Sequence, residues 1–306
     1  MPRYYLNKGG TKVRFTGSVG LNLGGGGGGV PGDGVFHSDW STATGQTNAA
    51  LNDTGKALPW TDNLQVGSSP QILTVVSASG RGFPASMTNC LRVEHAVIAD
   101  GWWIEIDGGW SAPSIGNALY FRHYFRHEIA DAAGVQGYAA THPLETEYGA
   151  VGLGANTLAQ KFGSNTDGTY PWLFQVESAS FPYSGWTPGG NQDGSGDPMY
   201  LQKNTTYRIE WKILRTATST ITLDMRIYGG DDSTLLFDKN NIYAWGGSGS
   251  DTLAAHGSGL PMDATHMTRL RVGKNGGFGA GAGQYVYWGG FAVRTADWCG
   301  SYNGTF

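Results

Sequence analysis

The sequence predicts an all-β protein, an antiparallel two-sheet β-sandwich with an N-terminal extended arm. The 306 residues include 50 glycines, 11 tryptophans, 15 tyrosines and 12 phenylalanines, and only 14% are charged. This composition is typical of loop-rich β proteins. From residue 35 onward, short apolar or alternating runs lie between clusters of turn-forming residues, and no long helix competes with them. The expected strands are 71–77, 89–95, 102–106, 119–129, 172–177, 207–214, 220–228, 267–272 and 285–294.

Residues 1–34 are predicted to form a separate arm, and residues 35–306 the sandwich. Positions 24–29 are six consecutive glycines. Glycine loses the most backbone entropy on ordering, so this run predicts a hinge. The segments 4–6 and 12–15 before it have strand character and would suit an arm that pairs with a neighbour. A frayed tail is the alternative interpretation.

Several classes of function are disfavoured by composition. The net charge is −4 and no cluster of lysine and arginine occurs, so no nucleic-acid partner is expected. The sequence contains no apolar run of about 18 residues, so no membrane span is expected. The first eight residues lack the apolar region of a secretory signal peptide. A location outside the cell or on a virion surface is nevertheless expected, which requires a leader absent from this sequence or another export route.

The two cysteines, Cys90 and Cys299, are too few for a disulfide framework. They are compatible with a single bridge or with two buried thiols. Thiols are the preferred interpretation, because such residues pack as small hydrophobic side chains.

The stretch 119–128 carries the most chemical information. Its Phe-Arg-His repeat at a four-residue spacing also fits one helix face. The β-rich surroundings and the middling helix propensities of histidine, tyrosine and phenylalanine favour a strand. Side chains of a strand alternate between two faces. One face then carries Tyr120, Arg122, Tyr124, Arg126 and Glu128, and the other carries Phe121, His123, Phe125 and His127, whose histidines are expected to be hydrogen-bonded core residues.

Several short segments follow one another along the chain in a recognisable order. They read FHSDW at 36–40, GFP at 82–84, LRVE at 91–94, TYRIEWK at 206–212 and YWGGFAVRT at 287–295, with 119–127 and 223–228 between them. Over residues 36–299 the chain resembles the concanavalin A-like jelly rolls, particularly the branch shared by polysaccharide lyases and glycan-binding proteins of phages and marine microbes. The resemblance implies a sandwich whose concave sheet holds carbohydrate.

In lyases of this family, an Arg-x-Glu strand, a Gln-x-His strand and a late strand rich in tyrosine and lysine place the catalytic groups. Arg92 and Glu94 match the first pattern. The second is present only as Gln175-Val176-Glu177, and the third has no clear counterpart near 285–288. The missing histidine removes an obvious base for proton abstraction, so turnover is not the leading expectation. If the chain is a lyase, the resemblance implies Arg92, Glu94, Gln175 and Tyr124 as catalytic candidates.

The Arg/Tyr face of 119–128 provides the ligand-binding candidates. Arginine forms forked hydrogen bonds with carboxylates or sulfates of an acidic glycan, and tyrosine stacks on sugar faces. A solvated sheet face is the structural alternative. Tryptophans in Gly/Ser-rich loops are expected to be exposed platforms at the groove rim. The resulting set is Tyr120, Arg122, Tyr124, Arg126, Trp110 and Trp186.

Metal binding has one weak candidate. The segment 191–197 resembles the start of a calcium loop, but Gln202 stands where a bidentate glutamate is needed, so a turn-rich loop is preferred. The histidines show no zinc spacing with the two cysteines. No cofactor is therefore expected.

Three hypotheses of function follow. The leading one is a lectin-like protein that recognises an extended, possibly acidic polysaccharide on its concave sheet without turnover. The first alternative is a polysaccharide lyase acting by β-elimination. The second is a virion or surface-assembly protein anchored through residues 1–34, motivated by the missing signal peptide, the basic arm and the glycine hinge.

Overall fold

The computed structural model describes the residues 4–6, 12–14, 34–41, 62–66, 73–94, 101–106, 110–128, 139–144, 157–162, 172–177, 202–218, 220–240, 260–261, 270–274 and 285–303. In several strands only the backbone is described. Within these ranges the chain forms strands, and none of them is helical. Nor do these ranges contain a helix with the length and hydropathy needed to span a membrane.

The strands follow one another with short connections where these are described. They are β1 (Tyr4–Leu6), β2 (Lys12–Arg14), β3 (Gly34–Ser38), β4 (Asp62–Val66), β5 (Leu73–Ser77), β6 (Asn89–Glu94), β7 (Gly101–Ile106), β8 (Ala118–His127), β9 (Ala139–Leu144), β10 (Thr157–Phe162), β11 (Trp172–Glu177), β12 (Thr206–Ala217), β13 (Thr220–Tyr228), β14 (Leu235–Lys239), β15 (Leu260–Pro261), β16 (Leu270–Lys274) and β17 (Tyr285–Arg294).

The largest sheet has nine strands, in the order β14-β13-β12-β8-β17-β6-β5, with β15 paired to β13 and β3 paired to β17. Two three-stranded sheets have the orders β16-β7-β4 and β11-β10-β9, and β9 lies beside β16. Every described pairing of the large sheet is antiparallel. This all-strand, antiparallel architecture confirms the predicted all-β sandwich class.

One face of the large sheet forms the apolar core. On β8 the ring of His123 lies 5.4 Å from that of Trp288 and 6.3 Å from that of Trp211. His123 is 1% exposed and His127 is 2% exposed. The prediction that these histidines face inward is therefore confirmed. Each large apolar side chain buried here contributes about 1.5–3 kcal/mol of transfer free energy.

Trp110 belongs to this core. It is 7% exposed, and its ring lies 5.9 Å from Phe36 and 6.1 Å from Phe121. The prediction that Trp110 is an exposed platform is therefore wrong. The glycines beside it indicated a loop, but Phe36 of β3 and Phe121 of β8 provide the apolar surfaces against which the indole is buried.

Both cysteines are free thiols, as preferred from the sequence. Cys90 is fully buried, and burial raises the pKa of its thiol to about 12. The Cys299 sulfur lies 3.5 Å from the carbonyl oxygen of Tyr120. Cys299 is thereby placed against the start of β8.

In the predicted arm, β1 and β2 pair with each other, with Tyr4 opposite Arg14. The pairing partner is thus within the arm itself. The glycine run 24–29 lies outside the described residues, so the hinge and the division at residue 34 remain predictions.

Candidate functional site

The second face of the large sheet gathers the charged and aromatic residues. In the antiparallel register, Arg122 lies opposite Glu210 of β12, and Tyr124 opposite Arg208. On the other side of β8, Arg126 lies opposite Tyr287 of β17, which in turn lies opposite Arg92 of β6. Residues directly opposite in a sheet point to the same side. The structure therefore brings most of the predicted site onto one surface, called here the polar face.

Three segments cover part of the polar face: the loop 78–87 between β5 and β6, the turn 229–234 between β13 and β14, and the residues 298–302 after β17, called the C-terminal strap. Their contacts with the sheet form a second apolar cluster. It consists of the buried residues Ala78, Phe83, Met87, Cys90, Tyr124, Tyr287 and Tyr302.

Two glycines of β17 allow this cover to lie directly on the sheet. The strand bulges between Gly289 and Ala292, and Gly290 has a φ of 58°. A Cβ on Gly289 would lie 2.7 Å from the Met87 sulfur, and one on Gly290 would lie 2.9 Å from the Tyr124 ring. Any larger residue would push the covering side chains outward.

Arg122 lies under the C-terminal strap. It is 2% exposed, its Nε donates to the carbonyl of Gly290 (2.9 Å), and its Nη1 donates to the carbonyl of Gly300 (3.1 Å). The prediction that Arg122 lines an open groove is wrong for this conformation. Strand alternation indicates the face of a side chain but not what lies above it.

Tyr124 is the junction of the three covering segments. Its hydroxyl donates to Asp232 Oδ2 in the turn (2.9 Å) and accepts from the amide of Tyr302 in the strap (2.8 Å). It is 1% exposed, and burial raises the pKa of its phenol. The hydroxyl therefore organises the cover, and its predicted accessibility is also wrong.

Glu210 and Arg208 continue this buried network on β12. Glu210 is 1% exposed and accepts a hydrogen bond from the amide of Gly300, and burial raises the pKa of its carboxyl. Arg208 lies 3.7 Å above the ring of Tyr228, donates to the Ser301 hydroxyl, and has Nη1 3.2 Å from Asp232 Oδ1. We call Arg122, Tyr124, Arg208 and Glu210 the covered region.

Tyr120 borders the covered region. Its ring lies 5.8 Å from the ring of Trp298 in an edge-on arrangement, and the guanidinium of Arg226 lies 4.2 Å from that indole. A sugar was predicted as the stacking partner of Tyr120, whereas in the structure its ring contacts a tryptophan of the strap.

The opposite end of the same strands is less covered. Arg81, Arg92, Glu128 and Tyr285 are each partly exposed there, and we call these four residues the open strip. The guanidinium of Arg92 lies 4.8 Å above the ring of Tyr285. Its Nε is buried and has no hydrogen-bond partner in the described structure. Arg92 is therefore a partly exposed cation that is stacked on an aromatic ring and has one unsatisfied donor.

Tyr287 borders the open strip. Its hydroxyl donates to Glu128 Oε2 (2.7 Å), and the guanidinium of Arg81 lies 5.0 Å from its ring. Burial and the bond to Glu128 raise the pKa of Tyr287 to about 12. Sequence reasoning did not select Tyr285, Tyr287 or Arg81. The Tyr-x-Tyr alternation at the start of the predicted strand 285–294 was the available signal.

Arg126 holds the edge of the open strip together. Its Nε donates to Glu128 Oε1 (3.1 Å), its Nη1 to the carbonyls of Arg81 (3.0 Å) and Asn204, and its Nη2 to Asn204 Oδ1 (3.3 Å). Its Nη2 also lies 3.0 Å from Glu128 Oε1. With its donors engaged in this way, Arg126 ties the loop 78–87 to the turn before β12, which differs from the ligand contact predicted for it.

The remaining predicted site residues are only partly described. Glu94 lies on β6 opposite Tyr285, and Gln175 lies on β11 of a different sheet; the side chains of both are outside the described part. Trp186 and the segment 191–197 are also outside it. In the part of the chain that the structure describes, no group of three or more metal-ligating side chains is assembled.

Neither a protein-family model nor a curated protein matches this sequence. Among solved structures, alginate lyase Aly36B matches at 14% identity and a TM-score of 0.46, covering 88% of this chain and 99% of that chain. The marine alginate lyase from Aplysia kurodai matches at 12% identity and a TM-score of 0.41, covering 77% and 91%. The endo-β-1,4-glucuronan lyase from the fungus Trichoderma reesei matches at 11% identity and 0.41, covering 78% and 91%. Similarity at this level assigns neither a family nor an activity.

Proposed function

We propose that the open strip binds a carboxylate of an acidic polysaccharide and that the protein is a carbohydrate-binding module of the sandwich class. The observation that carries the proposal is Arg92, whose partly exposed guanidinium is stacked on Tyr285 and whose Nε has no hydrogen-bond partner in the described structure. A planar guanidinium offers paired N–H groups that match the two oxygens of a carboxylate.

The neighbours of Arg92 suit a sugar that carries this carboxylate. Tyr285 provides an aromatic surface beside the guanidinium, and Glu128 and Tyr287 form a hydrogen-bonded pair that can accept from sugar hydroxyls. Arg81 adds a second positive charge on the loop side. The rigid anchoring of Glu128 by Arg126 keeps these groups in place without the ligand.

Binding of a hexameric oligouronate, measured by calorimetry, tests the proposal. Arg92→Gln should weaken binding by roughly 10- to 100-fold, because a hydrogen bond to a charged group contributes about 1.5–3 kcal/mol. Arg92→Lys should recover part of the loss, since it restores the charge but not the forked geometry.

Arg215→Gln is the matched control. It removes the same charge at the far end of β12, where Arg215 bonds to the carbonyl of Pro113. Equal weakening by Arg92→Gln and Arg215→Gln would show that only overall charge matters and would refute a site at Arg92.

A lyase is the second candidate, and the Tyr287–Glu128 hydrogen bond favours it. In such a reaction Arg92 would neutralise the uronate carboxylate. Glu128 would take the proton beside that carboxylate, and Tyr287 would give its phenolic proton to the C4 oxygen as the C4–O bond breaks. The products would be an unsaturated uronate and a chain ending in a free hydroxyl. The hydrogen bond between the two residues would then return the proton from Glu128 to Tyr287. Ultraviolet absorbance of the unsaturated uronate, lost in Tyr287→Phe, would establish turnover. Oligouronate binding with no such absorbance would leave the binding function alone.

A further inference from the structure

The C-terminal strap is held as a bound ligand would be. The carbonyl of Gly300 accepts from Arg122 (3.1 Å), and the amide of Gly300 donates to Glu210. The Ser301 hydroxyl accepts from Arg208. A sheet surface would bind a polar ligand chain through the same kinds of contact, because charged side chains form strong hydrogen bonds with carbonyl, amide and hydroxyl groups.

Two arginines beneath the strap have N–H groups that the strap does not satisfy. Arg122 is 2% exposed, yet its Nη2 is buried without a partner in the described structure, as is the Nε of Arg208. Neutral peptide groups of Gly300 stand where a carboxylate would receive two N–H groups from Arg122. The charged groups facing this place are Arg122, Arg208, Arg226, Glu210, Asp232 and Asp238. Their charges balance, so the unsatisfied N–H groups, and not an excess of positive charge, indicate an anion subsite.

We propose that the C-terminal strap occupies a second anion-binding subsite, centred on Arg122 and Arg208, which an acidic sugar chain takes over when the strap lifts. This inference rests on the proposed function of the open strip. The two places belong to one face of β8, since Arg122 lies roughly 14 Å along the strand from Arg126. A chain of several sugars bound at Arg92 is long enough to reach Arg122. While the strap is in place, the wild-type protein would then contact only the part of the sugar chain that lies at the open strip.

Gly300 provides a way to weaken the strap without removing a contact. Its φ is 70°, and a Cβ built on it meets no atom within 4 Å. Alanine at this φ is strained, and this should raise the population of the lifted strap by about tenfold. Gly116→Ala is the matched control, since Gly116 has a φ of 87°, equally open surroundings, and a place in the turn before β8.

The experiment measures affinity for a hexameric oligouronate and amide hydrogen exchange at residues 300 and 302. Gly300→Ala should speed exchange and tighten binding by up to about tenfold, the limit set by the population shift. Gly116→Ala should change neither. Arg122→Gln in the Gly300→Ala background should remove the gain, whereas Arg92→Gln should weaken binding in every background.

Trp298→Ala gives a second route, because it removes the contacts of the strap with Arg226 and Tyr120 while leaving Arg122 in place. It should reproduce the gain in affinity even if the Arg122 variant fails to fold. The subsite would be overturned if Gly300→Ala and Trp298→Ala both speed amide exchange in the strap but bind the oligouronate no more tightly than the wild type. Normal binding by the wild type in that case would leave the open-strip proposal intact. Absence of binding by all variants would overturn both proposals, and binding only by the strap variants would support the subsite.

Discussion

Arg92 and Arg122 lie on the same face of one sheet but in different states. Arg92, in the open strip, is partly exposed and stacked on Tyr285, and its Nε is unsatisfied in the described structure. Arg122, in the covered region, is 2% exposed and bonds to main-chain carbonyls of Gly290 and Gly300. The same residue type is thus partly exposed at one end of the strands and holds the covering segments to the sheet at the other. The difference arises from the segments that cross the sheet, not from the strands.

The largest expected effect is a difference in stability between variants of these two arginines. Arg122→Ala removes the buried hydrogen bonds to the carbonyls of Gly290 and Gly300, and should lower the free energy of unfolding by about 4 kcal/mol, since a hydrogen bond to a charged group contributes about 1.5–3 kcal/mol. Arg92→Ala removes only a partly exposed stack and should cost about 0.5–1 kcal/mol. Urea denaturation of the two variants measures both. Similar losses would mean that the two arginines are equally structural.

The next effect concerns the glycine bulge beneath the cover. Gly290→Ala combines strain at a φ of 58° with a Cβ only 2.7 Å from the Met87 methyl and 2.9 Å from the Tyr124 ring. It should lower the free energy of unfolding by about 3 kcal/mol. Gly80→Ala has a φ of 76° and no atom within 4 Å, so it isolates the backbone strain and should cost about 1 kcal/mol. Equal decreases in melting temperature for Gly290→Ala and Gly80→Ala would show that the covering side chains are not in close contact with β17 at Gly290.

A smaller effect is expected in the pH dependence of stability. Burial raises the pKa of Glu210 above its ordinary 4.5. The folded state then holds this proton more tightly than the unfolded state. The contribution of Glu210 to the free energy of unfolding is therefore complete below pH 4.5 and is lost as the pH rises through the pKa of the folded state. Glu210→Gln should flatten the decline in this window, as measured by urea denaturation at a series of pH values.

Asp231 provides the contrasting control for that measurement. Hydrogen bonds from Thr234 and Ser233 lower its pKa from the ordinary 3.8. Its contribution is therefore present above pH 3.8 and is lost as the pH falls through the folded pKa. Asp231→Asn should alter only this acidic window. A slope above pH 4.5 that survives Glu210→Gln would contradict the assignment to Glu210.

The smallest expected effect sharpens the open strip. Burial, followed by the hydrogen bond to Glu128, raises the pKa of Tyr287 from 10 to about 12. Glu128→Gln should lower this pKa while burial keeps it above 10, as followed by ultraviolet titration of the phenol. Stability linked to Tyr287 is complete below pH 10 and is lost as the pH rises towards 12. An unchanged pKa would mean that Glu128 does not act on this hydroxyl.

The bounds of several strands could be predicted from local pattern. The strands β11, β13 and β17 begin and end where alternation and turn residues placed them. The two faces of β8 were also assigned correctly, because the pleat alternates side chains regardless of context. The five-residue strands β3 and β14 were missed. A run this short shows no clear period, and the equally short β5 was predicted from its adjacent β-branched residues Thr74, Val75 and Val76.

Exposure within the candidate site could not be predicted in the same way. Trp110 has glycine neighbours and was expected at the surface, yet Phe36 packs on it. Arg126 was expected to bind a ligand, yet it bonds to the carbonyls of Arg81 and Asn204. In each case the deciding partner lies more than forty residues away along the chain.

Local pattern is sufficient to predict that the chain is all-β, that the histidines of β8 face the core, and that arginine and tyrosine share the opposite face. These features follow from local periodicity, which every strand must obey. Which of those arginines is covered depends instead on tertiary contacts. The strap bond from Tyr302 to Asp39 spans 263 residues, and that from Arg122 to Gly300 spans 178. Contacts of that separation depend on how the whole chain folds back on itself, which no local pattern encodes.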